Sequence, residues 1–137
     1  MSNPFNDLTK DLAQNPGAQP AQIVEVEDQL GVKFPEEYSK WMTETNGAEG
    51  LVGQHSYLML WPSEKIVPLN KVYEVNEFAP GLILFGSNGS DTGYAFDSRV
   101  KKMPIVEVPF IGMSLNEAKM VGDTFYDFLQ YLREQGT

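Results

Sequence analysis

Between residues 81 and 110 the chain carries three apolar segments in succession: GLILFG at 81–86, GYAFDS at 93–98 and PIVEVPF at 104–110. Aromatic and β-branched residues fill them and turn residues separate them, which predicts three strands in antiparallel sequence. A sheet of this kind needs helices to cover it, and the flanking sequence has helical patterns. Ile23, Val26 and Leu30 are spaced three and four apart, and Gly31 stops that segment. In FPEEYSKWMTETNG, Pro35 stands near a helix start and Glu36 and Glu37 suit its positive end. Tyr38, Trp41 and Met42 point inward, and Asn46-Gly47 closes the helix. A final helix opens at Asp123, with Phe125, Phe128, Leu129 and Leu132 forming one stripe. Ahead of these, Asn3-Pro4 resembles a helix start, with Phe5, Leu8 and Leu12 on one face. YLMLW at 57–61 is apolar on both alternating faces and reads as a covered strand. Ser63 begins a short helix through about Tyr73. The expectation is an α+β fold: a single domain over 1–137, a mostly antiparallel sheet meander flanked by helices.

Composition narrows the function classes. The chain has no cysteine, which excludes disulfides and thiolate metal sites. Its start is too polar for a secretory signal, and no apolar run approaches the ~20 residues of a membrane span; a cytoplasmic protein without membrane contact is expected. Ten basic residues face 19 acidic ones, for a net charge of -9. Direct nucleic-acid binding is not expected from that balance. The acidity has two readings, solubility or attraction to a basic partner.

The stretch FGSNGSDTGYAFD at 85–97 most resembles chemistry, and it fails each test. A phosphate-binding loop of the Walker type needs a lysine followed by Ser or Thr and a helix. The dinucleotide fingerprint needs a different glycine spacing from 86, 89 and 93. A calcium loop needs alternating acids, whereas Asp91 and Asp97 stand six apart. The stretch reads as a hairpin loop in which glycines 86, 89 and 93 let the chain turn tightly and Asn88-Gly89 supplies the positive φ. His55 is the single histidine, in a polar loop, and no serine sits in a nucleophile elbow. Carboxylate pairs such as Glu25 with Asp28 fall at solvated helical positions. No cofactor or metal is implied. Trp61 ends a strand and reads as core, with an interface anchor as the other option; Phe110 and Met113 read as covering the edge of the core.

The order of segments resembles the SUKH superfamily, the group of the Smi/Knr-type yeast cell-wall regulators and many bacterial immunity proteins. Its opening signature maps here to Ile23, Glu27, Leu30-Gly31, Phe34-Pro35, Tyr38, Trp41 and Asn46-Gly47. GSNGSDTGYAFDSR is similar to its second block, a Gly-Ser-rich turn leading into Tyr-Ala-hydrophobic-Asp. PIVEVPFIGMS and TFYDFLQYL resemble its last strand and closing helix, so the likeness runs over about 20–133. One departure stands out: Asp91 falls one position before the acid that relatives carry, and Thr92 occupies that place.

The resemblance implies binding instead of catalysis. Its bacterial members neutralise a polymorphic toxin, often a nuclease or nucleic-acid deaminase, and an acidic protein complements the basic cleft of such an enzyme. The expectation is an immunity protein, a monomer or weak homodimer without cofactor, that occludes a cognate basic toxin domain. The expected contact group is Glu49, Trp61, Glu64, Asn88 and Asp91. A regulatory or scaffold module, like the eukaryotic members, is the alternative. A small hydrolase would require an activity that depends on His55, Asp91 or Asp97.

Overall fold

The computed structural model describes residues 8–135. Seven strands cross one sheet in chain order, every neighbour antiparallel: β1 (Leu12–Gln14), β2 (Ala48–Val52), β3 (Ser56–Leu60), β4 (Leu82–Ser87), β5 (Thr92–Asp97), β6 (Ile105–Pro109) and β7 (Lys119–Gly122). Five helices accompany it among the described residues: α1 (Pro20–Leu30), α2 (Glu36–Glu44), α3 (Ser63–Val72), α4 (Val75–Phe78) and α5 (Phe125–Glu134). The fold is the expected α+β meander. The helix start at Asn3-Pro4 lies outside the described residues, and Leu12 stands in strand β1 instead of on a helix.

The helices form where the apolar spacing places them, and long side chains fix their ends. In α1, Ile23 and Val26 are buried, and Gly31 leaves the helix at φ 71°. Glu27 then reaches forward, its Oε2 accepting the Phe34 N–H at 2.7 Å, so the chain turns on a carboxylate before α2 begins. Tyr38, Trp41 and Met42 are the buried face of α2. Glu37 Oε1 accepts the Tyr126 N–H at 2.7 Å, joining α2 to the first turn of α5. That turn is capped by Thr124, whose Oγ1 accepts the Asp127 N–H at 3.0 Å, and not by Asp123. Both residues suit a cap; the neighbour's side chain is the one in reach. The first turn of α3 is capped from a distance, by Asn46 Oδ1 accepting the Ser63 N–H at 2.7 Å.

One face of the sheet is closed by α2 and α5. Tyr38 lies at its centre, with ring centroids 5.0 to 5.5 Å from Phe34, Phe85, Phe96 and Phe125, all four contacts edge-on within 30° of perpendicular. Such geometry sets the positive ring edge against a negative face. Burial pushes the Tyr38 phenol well above its usual range, and its hydroxyl has no hydrogen-bond partner among the described residues. At the far end of β5, buried Asp97 accepts from the backbone N–H of Arg99 at 3.1 Å. The guanidinium adds one bond to each oxygen, both at 2.9 Å. This pins the turn into β6.

The opposite face is divided. Over β4–β6 it is buried: Leu84, Ala95, Val106 and Val108 are all enclosed. Over β1–β3 it is open, which corrects the reading of 57–61 as covered. Tyr57 is 39% exposed and Leu51 42%, and Met59 is half-buried. The two halves meet at a short joint: β3 and β4 pair through Met59↔Ser87 and Leu60↔Gly86, and the Trp61 N–H donates to the Phe85 carbonyl at 3.0 Å. Beyond it, Asn70 of α3 takes over the ladder. Its Oδ1 accepts the Leu84 N–H at 2.9 Å, and its Nδ2 donates to the Leu84 carbonyl at 2.9 Å.

Candidate functional site

Sheet register brings part of the expected contact group together. Glu49 pairs with Met59 and Met59 with Ser87, so all three side chains share a face. Two strand spacings, about 10 Å, separate Glu49 from the start of the β4–β5 loop. On the same face Tyr57 donates a hydrogen bond to Glu49. That bond, with the carboxylate's charge, holds the Tyr57 phenol above its ordinary value. Leu51 and Tyr57 are opposite one another across β2 and β3. The patch is therefore apolar in the middle and acidic at its edge.

The β4–β5 loop closes over one side of this patch. Asn88 organises it: its Oδ1 accepts the N–H groups of Ser90 at 2.9 Å and Thr92 at 3.1 Å, and its Nδ2 donates to Asp91 Oδ1 at 3.1 Å. Thr92 Oγ1 donates to the same oxygen at 3.1 Å. These bonds favour the charged form and hold the Asp91 carboxyl below its usual range, so it is an anion throughout the neutral range. Gly89 sits at φ 80°, and a side chain there would meet the Tyr57 ring at 3.0 Å. The turn role expected of Asn88-Gly89 holds. Gly86 and Gly93 have a different role from the expected one. Their backbone is not left-handed; a Cβ at 86 would lie 2.6 Å from the Met59 carbonyl, and one at 93 would lie 2.8 Å from Phe110.

Trp61 and Glu64 stand apart from the patch. Trp61 is only 7% exposed and lies parallel to Tyr73, centroids 6.4 Å apart; Tyr73 in turn stacks on Phe110 at 4.3 Å. The ring supports the surface from beneath. Glu64 is exposed, but its carboxylate accepts from Asn46 Nδ2 at 3.1 Å and lines a groove between α1 and α3 with Gln22 and Glu25. Residues missed by sequence reasoning are Leu51, Tyr57, Met59 and Ile111, the last 94% exposed. Alternation along 57–61 placed Tyr57 and Met59 on one face, and only the layering shows that this face is uncovered. Met113 is buried and Phe110 half-buried, as edge cover.

For catalysis the arrangement offers little. His55 is exposed in the β2–β3 turn, Asp97 is engaged by Arg99, and Asp91 is tied into its loop. Among the described residues no cluster of three His, Asp or Glu could hold a metal ion. No helix there is long and apolar enough to cross a membrane.

Two comparisons with known proteins bear on the family of the chain. The model of the SMI1 / KNR4 family (SUKH-1) matches residues 17–131. Uncharacterized protein YnaB of Bacillus subtilis (strain 168) is 33% identical over 82 residues, which is 60% of this chain and 47% of that protein. The chain thus spans about half the length of this curated relative.

Proposed function

The chain belongs to the SMI1 / KNR4 family (SUKH-1), and from that premise we propose that it is an immunity protein that binds and occludes a basic toxin domain in the cytoplasm. The observation that carries this reading is the open face of β1–β3. It sets Leu51, Tyr57 and Met59 beside Glu49, with the loop that carries Asp91 reaching its edge through Gly89. An apolar centre with a charged rim is the usual layout of a protein-binding surface. The excess of 19 acidic over 10 basic residues favours a basic partner and faster encounter at low salt. A nuclease or nucleic-acid deaminase, whose cleft must attract phosphates, has the complementary charge. The protein acts by steric cover and needs no cofactor.

Co-expression with the toxin domain encoded beside this gene is expected to restore growth. The purified complex is expected to weaken roughly tenfold between 50 and 300 mM salt. Loss of growth rescue would overturn the immunity reading; salt-independent affinity would remove steering and leave occlusion. A regulatory module like the yeast members of the family would use the same face, and would show a cellular enzyme as partner and no toxin gene alongside.

A further inference from the structure

Beside the open face lies a second concavity, of about 570 Å³, between the β4–β5 loop and the segment after β6. Its walls are the half-exposed rings of Tyr73 and Phe110, stacked at 4.3 Å with 15° between their planes. Asp91 stands at its rim, and no Lys or Arg lines it. The two sides are tied, since the Phe110 N–H donates to the Asp91 carbonyl at 2.9 Å. Gly93 lets the Phe110 ring settle, because a Cβ there would come within 2.8 Å of it. Ile111 stands 94% exposed at the mouth.

We propose that this pocket receives one arginine side chain of the protein partner. This rests on the binding reading above and names the partner's chemistry. The carboxylate attracts a cation, and the half-exposed rings offer an apolar surface on which the arginine side chain can lie. Asp91 is fixed for it: Asn88 and Thr92 both bond Oδ1, and Oδ2 takes part in neither bond. A carboxylate held this way loses little side-chain freedom on pairing. Ile111 is placed to cover the aliphatic stem. Lysine fits less well, because its compact ammonium is more strongly hydrated than a guanidinium and costs more to bring beside the rings. The volume accommodates the side chain with the backbone that carries it.

The test is an NMR titration of the full chain with N-acetyl-arginine methylamide, and with its lysine and citrulline counterparts. The arginine probe is expected to give saturable shifts at Asp91, Thr92, Phe110 and Ile111 in the millimolar range. Lysine binding is expected to be at least about fivefold weaker, and citrulline is expected to leave these residues unmoved. Asp91→Asn keeps an acceptor for Asn88 and Thr92 and so preserves the loop; it is expected to weaken the arginine probe at least about fivefold with an unchanged melting curve. Ile111→Ser, on a fully exposed side chain, is expected to weaken it about twofold. Equal shifts with citrulline, shifts spread over all carboxylates, or no change in Asp91→Asn would overturn the proposal. The immunity reading fails separately: an arginine-binding pocket without growth rescue keeps this site and sinks that function. Growth rescue with undiminished affinity in Asp91→Asn does the reverse.

Discussion

The closed face of the sheet and the open stretch over β1–β3 are built from similar residues and behave as opposites. Beneath α2 and α5, Tyr38, Phe85, Phe96, Phe125 and Phe128 enclose one another and are almost wholly removed from water. Over β1–β3, Tyr57, Leu51 and Met59 are held in register by the same kind of ladder, with no helix among the described residues placed on them. The backbone costs the same to order in both places. The difference is the layer above, and it separates what the chain uses to fold from what it offers to a partner.

Four substitutions test that separation, from the largest effect to the smallest. Phe128→Ala on the closed face is expected to destabilise by about 4 kcal/mol, read as a lower urea midpoint at unchanged slope. A loss below about 1 kcal/mol would mean that the face is not the core it looks to be. Asp97→Ala is expected to cost about 1–2 kcal/mol, moderated because Arg99 is half exposed. Arg99 hydrogen bonds hold the Asp97 carboxyl below its ordinary value. Its contribution is therefore complete above the unfolded-state pKa near 3.9 and is lost as pH falls through the lower native value. Wild type and variant should converge in stability only in strong acid; a gap that persists there would assign the loss to packing. Tyr38→Phe removes a buried hydroxyl without a partner among the described residues and is expected to stabilise by up to about 1 kcal/mol, seen as a raised melting temperature. A fall instead would point to a bonded water. Leu51→Ser on the open face is expected to change stability by less than about 0.5 kcal/mol while weakening the complex with the partner. If stability fell by several kcal/mol, the contrast between faces would collapse.

Much of this fold was legible before any coordinates. The stripes in α1, α2 and α5 are regular because each helix meets one apolar surface, and the three strands from 81 to 110 carry aromatic and β-branched side chains that suit nothing else. What escaped was what depends on distant partners. Residues 57–61 are apolar at every position, and alternation cannot say which side lacks a cover. Strands β1 and β7 have three and four residues, too few for a period. The cap of α5 moved from Asp123 to Thr124 through the reach of one hydroxyl to the Asp127 N–H. Glycines 86 and 93 read as turn formers, while their cause is a carbonyl and a ring approaching from elsewhere in the sequence. At the candidate site, Glu49, Asn88 and Asp91 were identifiable as exposed polar groups near strand ends. Their assembly needed the register Glu49↔Met59↔Ser87, and that register leaves Trp61 underneath and Glu64 on another groove.

The Asn70 side chain, standing where β3 has left β4, has a consequence for how the molecule can be watched. Leu84's amide proton is held by a carboxamide on a helix and not by a neighbouring strand. Its exchange with deuterium therefore reports the undocking of α3, while the Trp61 amide, which donates to the Phe85 carbonyl at 3.0 Å, reports the parting of β3 from β4. A single labelled sample followed over time would resolve the two events, with Leu84 as the clock for the helix.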